Sequence, residues 1–228
     1  MGNRDRQRLD AVEVTARLKI RPGEGLTAVW NESGLTLVEL MIVLVLSLFL
    51  MAAVYLTFQV QKGTSDTQHE VVAVQQDVRA LMDIMARDIR MAGCDPTMNS
   101  NAGLLAAQCS STGIGFTMDL NDDGDTADAD EQVRYTYAGT VLTRTVGGVA
   151  TELTTRATDF SLAFLDANNA VIVPTGPGGV LQDTEAEVRS VRSVRVTLQL
   201  QSAKKDPDIN DFIRRTMTRQ LKMRNLGL

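Results

Sequence analysis

The densest run of potential ligand atoms is Asp119-Leu120-Asn121-Asp122-Asp123-Gly124-Asp125, where Asp119, Asn121, Asp123 and Asp125 recur at every second position and Asp130 follows at the twelfth. Short oxygen-bearing side chains at alternate positions, with a glycine that permits a tight turn, suit calcium, which takes about six to eight oxygen ligands. An EF-hand would carry a bidentate Glu where this chain has Asp130, with Glu131 beside it, and the flanking runs read as strands rather than helices. The run therefore reads either as a calcium-binding β-loop or as an acidic, solvated hairpin tip, and no other motif asks for a cofactor. Cys94 and Cys109 are the only cysteines. In an oxidising compartment they would close a loop of about 15 residues, worth about 3 kcal/mol on the chain-entropy account; otherwise they stand as two free buried thiols. His69 is the single histidine, so no multi-histidine metal site can form. No Gly-x-Ser-x-Gly, His-Glu-x-x-His or Cys-His arrangement occurs, and no GxGxxG or Walker sequence. The chain accordingly reads as a non-enzyme.

One further acid stands apart. Glu39 is followed from Leu40 to Gln61 by 22 residues without a formal charge. At about 1.5 Å per helical residue this run reaches roughly 33 Å, enough to cross a hydrocarbon core of about 30 Å. A carboxylate at the mouth of such a helix costs up to about 2.5–3.5 kcal/mol if carried to the bilayer centre, so it reads as functional, with a partner to be named. Immediately upstream stand Ser33, Gly34, Leu35 and Thr36. The first 34 residues carry Arg4, Arg6, Arg8, Arg17, Lys19 and Arg21. Because orientation follows Lys and Arg, this end stays cytoplasmic and the C-terminal part is exported across the inner membrane. The net charge of −5 gives no support for nucleic-acid binding.

Gly34-Leu35-Thr36-Leu37-Val38-Glu39-Leu40 ahead of an apolar helix resembles the class III signal of type IV prepilins. The resemblance implies that prepilin peptidase cuts between Gly34 and Leu35 and N-methylates Leu35, where most pilins carry Phe. It also implies that Glu39, the fifth residue of the mature chain, pairs with the N-terminal amine of a neighbouring subunit during assembly. The run from Met85 to Pro96, MARDIRMAGCDP, and the closing RTMTRQLKMRNLG resemble PilW-type minor pilins and the J-type minor pseudopilins of type II secretion.

The helix is expected to continue past the membrane. Val71, Val74, Val78, Leu81, Met85 and Ile89 form one apolar stripe, opposed by Gln76, Asp77, Arg79, Asp83, Arg87 and Arg90. Gly93 and Asp95-Pro96 then stop it. Strands are expected at 113–118, 133–137, 141–146, 160–165 and 171–173, with Asn168-Asn169 as a hairpin turn. The clearest strand is 188–200, ended at Asp206-Pro207, and alternation resumes along 212–223. Arg214, Arg215, Arg219 and Lys222 on this last run read as the solvated face of a sheet or as part of a basic stripe.

The organisation expected is a leader over 1–34, a membrane-spanning or filament-core half-helix over 35–62, an amphipathic half-helix over 63–93, and a β-rich periplasmic domain over 94–228. This is an α+β, pilin-like fold in which one long helix packs on an antiparallel sheet. The function implied is that of a minor pilin that initiates or caps a type IV pilus. Its partners are prepilin peptidase, other major and minor pilins through the N-terminal helix, and the inner membrane before assembly into the extracellular filament. The alternatives are a minor pseudopilin of a type II secretion system and a membrane-tethered ligand-binding domain.

Overall fold

The computed structural model describes residues 34–184, 186–207 and 209–226. Apart from Gly34, the expected leader lies outside the described residues. Helix α1 runs unbroken from Leu37 to Met91, 55 residues, through Gly63. It stops where expected: Gly93 adopts a left-handed φ of 73°, and Cys94 N–H closes onto the Met91 carbonyl at 2.9 Å. A glycine takes that conformation without the clash a Cβ would bring.

By its contacts the chain falls into two units divided in sequence between Ala52 and Ala53. In the first, no side chain of α1 is buried, and the large apolar residues from Leu35 to Met51 are all exposed. Among the described residues α1 is the one helix long and apolar enough to cross a membrane.

In the second unit, exposure of apolar side chains on α1 persists to Val60. The expected stripe then turns inward: Val74, Val78, Leu81, Met82, Met85, Ala86 and Ile89 are buried. Two four-stranded antiparallel sheets follow. The first orders β1 (Gly113–Thr117), β2 (Gln132–Ala138), β3 (Val141–Val146) and β4 (Val149–Thr154) as a meander. The second has the order β6 (Val171–Ile172), β5 (Ala157–Leu165), β7 (Ser193–Asp206), β8 (Asp211–Lys222). Side-chain alternation sets which face is core. On β7, Val194, Val196, Leu198 and Leu200 are buried, and on β5 Phe160, Leu162 and Phe164. These residues and the helix stripe belong to one apolar cluster, so the helix supplies a wall of the core. Full burial of each such side chain is worth about 1.5–3 kcal/mol.

Two details depart from the expectation. A fourth strand, β4, extends the first sheet as an edge, mostly exposed. Residues Val188–Ser190 form a 3-10 turn, and β7 begins only at Ser193. On β8, Arg214 and Lys222 are exposed; Arg219 pairs with Asp83 on α1, and Arg214 pairs with Asp211 at 3.0 Å. The Asn168-Asn169 turn stands as expected, with Asn169 at φ 63° and the Asp166 carboxylate accepting the Asn168 and Ala170 N–H groups, each at 2.8 Å.

Candidate functional site

Three groups of functional side chains stand along α1 and at its end. At the N-terminus, Gly34, Leu35 and Thr36 precede the first helical residue, and all three are exposed. Thr36 is the N-cap. Its hydroxyl accepts the Glu39 N–H at 3.2 Å, and Glu39 Oε2 accepts the Thr36 N–H at 3.4 Å. This reciprocal pair is a capping box, and it satisfies two backbone donors that a helix start leaves open. The Thr-x-x-Glu spacing carries that signal in the sequence. Glu39 therefore sits at the positive end of the helix dipole, with its carboxylate oriented by its own backbone.

Near the C-terminal end of the buried part of α1, Asp88 Oδ2 accepts hydrogen bonds from the Tyr135 hydroxyl at 2.6 Å and from Arg144 Nε at 2.7 Å. Tyr135 lies on β2 and is fully buried; Arg144 lies on β3. Burial, reinforced by the neighbouring Asp88 carboxylate, pushes the phenol far above its ordinary pKa, so it stays a donor. The trio ties helix to sheet and offers no group poised for proton transfer. Asp77 and Asp83 make parallel ties to Arg156, at 2.6 Å, and to Arg219.

Beyond the helix end lies the acidic loop between β1 and β2. Asp119 is buried, and its carboxylate accepts the Asp122 N–H at 2.7 Å and the Gly124 N–H at 3.1 Å. Asn121, Asp123 and Asp125 each cap the backbone N–H two residues on, at 2.8–3.1 Å. Asp119, Asp123 and Glu131 bring carboxylate oxygens within 4.8 Å of one another. The expected set is corrected at Asp130, which is exposed and lies outside that trio, where Glu131 stands instead. Glu131 enters β2 in phase with the buried Val133 and Tyr135, so strand alternation turns Glu131 inward and Asp130 outward. Asn121 and Asp125 are exposed and outside that trio.

The expected Cys94–Cys109 disulfide is also corrected, since both thiols are free. Cys109 is buried within the core cluster and its Sγ meets the Gly115 carbonyl at 3.5 Å, while Cys94 packs at the cluster's margin. Burial pushes the Cys109 thiol up to about 11, the Gly115 contact opposing it only in part.

The family model described as prokaryotic N-terminal methylation motif matches residues 31–55, which hold Gly34, Leu35, Thr36 and Glu39. The model described as prepilin peptidase-dependent protein B matches residues 67–223, from the amphipathic half of α1 through all eight strands described above. A search of curated proteins gave no match. With more than half of its length under one family model and a methylation motif at the head of its apolar helix, the chain belongs to the prepilin peptidase-dependent protein B family of type IV prepilin-like proteins.

Proposed function

We propose that the mature chain is a minor pilin, a structural subunit that helps initiate or cap a type IV pilus. The observation that carries this reading is Glu39, the lone acid in the first turn of a helix whose apolar side chains are all exposed as far as Val60. A surface of that size requires either lipid or other apolar helices around it. Prepilin peptidase cuts after Gly34 and methylates Leu35, and the helix first anchors the chain in the inner membrane. The Lys/Arg-bearing end stays cytoplasmic and the sheet domain lies in the periplasm. On assembly, α1 exchanges lipid for neighbouring pilin helices, and Glu39 meets the N-terminal amine of an adjacent subunit. Within the filament the chain acts like a PilW-type subunit, and its role is structural rather than catalytic.

Mass spectrometry of the mature protein, with and without prepilin peptidase, tests the processing step. The expected chain begins at N-methyl-Leu35 only when the peptidase is present. Glu39→Leu is expected to leave membrane insertion intact while reducing recovery of the chain in sheared pili at least severalfold. A retained leader, or normal recovery of Glu39→Leu, would overturn the proposal. Loss of protein secretion with intact pili on deletion would move the chain to a type II secretion filament.

A further inference from the structure

We propose that the loop between β1 and β2 is a calcium site whose carboxylate ligands are Asp119, Asp123 and Glu131. Their oxygens lie within 4.8 Å of one another. Among the described residues none of the three is paired with a Lys or Arg. Three carboxylates at that separation repel one another unless a cation lies between them. The donor set is oxygen alone, which suits a hard cation and disfavours the softer metals that select thiolate or imidazole.

The independent observation is Glu131. The residue is fully buried, its Oε1 accepts the Leu120 N–H at 2.9 Å, and its Oε2 is buried with no hydrogen-bond partner. An unpartnered buried carboxylate oxygen is costly, and native interiors rarely leave one. A cation bound by the Asp119–Asp123–Glu131 trio supplies the missing partner. Asp119, nearly as buried, already has both oxygens steered by backbone donors at 2.7 and 3.1 Å and by the Thr97 hydroxyl at 3.4 Å. Asp123 is exposed and closes the site from the solvent side, where water completes the shell. Calcium accepts such a mixed, irregular set of six to eight oxygens, whereas magnesium demands near-ideal octahedral geometry.

The site is stitched to the end of α1. Asp119 N–H donates to the Cys94 carbonyl at 2.7 Å, Gly93 N–H to Thr117 at 2.9 Å, and Met118 N–H to Glu131 at 3.0 Å. Calcium bound there joins the loop's two ends beside the helix terminus, and it binds the folded chain in preference to the unfolded one.

The test uses the full chain in detergent micelles, stripped with EDTA and then titrated with calcium chloride while heat and melting temperature are followed. Calcium at about a hundred times its dissociation constant is expected to raise the melting temperature by about 5–10 °C. Glu131→Gln and Asp123→Asn are each expected to weaken binding at least about tenfold, while Asp130→Asn leaves it unchanged. Asp123 is exposed, so Asp123→Asn keeps the experiment decisive if Glu131→Gln fails to fold. Absence of heat and of a thermal shift at about millimolar calcium would overturn the proposal. So would an equal response to magnesium, or loss of binding in Asp130→Asn with retention in Glu131→Gln and Asp123→Asn.

Discussion

Replacing Asp88 by alanine removes the single acceptor shared by Tyr135 and Arg144, and the size of the loss can be worked from their surroundings. The Tyr135 hydroxyl lies on a fully buried residue, so leaving it without an acceptor costs about 1–3 kcal/mol. The Arg144 side chain is 31% exposed and regains water, so its lost pairing adds only about 0–1 kcal/mol. The sum is about 1–4 kcal/mol. For a chain of 228 residues each kcal/mol moves the melting temperature by about 2–4 °C, so a fall of about 2–16 °C is expected. Tyr135→Phe alone leaves Asp88 paired with Arg144 and costs about 0.5–1.5 kcal/mol. In the Asp88→Ala background, Tyr135→Phe removes the orphaned hydroxyl and should cost nothing or restore stability. Thermal unfolding of the wild-type chain, both single variants and the double variant in micelles, followed by circular dichroism, closes the cycle. Additivity of the two substitutions to within about 0.5 kcal/mol would refute the shared-acceptor account.

Two further outcomes are expected. On the folded chain a maleimide should label Cys94, which is partly accessible, and leave Cys109 unlabelled until denaturant is added; recovery of a Cys94–Cys109 peptide from native material under non-reducing conditions would contradict the free thiols. The Thr175 hydroxyl and the Gln182 N–H hold the Glu187 carboxyl below its usual 4.5, so the unfolded chain binds this proton more readily and the stabilisation, intact at neutral pH, is lost as pH falls below about 4.5. The melting-temperature gap between wild type and Glu187→Gln should therefore narrow from pH 7 to about pH 3, and a constant gap would refute that assignment.

Long elements were legible because their periods are strong. The stripe from Val74 to Ile89 marks the buried side of α1, and alternation along 194–200 marks the core face of β7. What escaped were elements whose determinants lie outside the segment itself. β4, VATELT, lacks a strict apolar alternation and is held as an edge by pairing with β3. Val188 looked like a strand start because it is apolar, yet it serves a 3-10 turn that feeds β7. The acidic loop shows the same division. The oxygen-rich spacing from Asp119 onward is plain, and EF-hand spacing points to Asp130 at the twelfth position. The phase of the returning strand, readable in Glu131, Val133 and Tyr135, selects Glu131 instead. Thr36-x-x-Glu39 is also legible as a capping box, because its spacing alone carries the reciprocal bonds. The state of the two cysteines was open from sequence, because the fold alone decides where each sulfur points.

Asp77, Asp83 and Asp88 stand six and five residues apart on one helix, roughly 9 and 7.5 Å along its axis, and each grips an arginine from a different part of the sheet domain. Tension drawn along that axis loads the three grips together, in shear, instead of peeling them one after another. Rupture then requires sliding the whole buried stripe past the sheets at once, so the sheet domain resists a pull on its helix better than any one of its surface ion pairs would suggest.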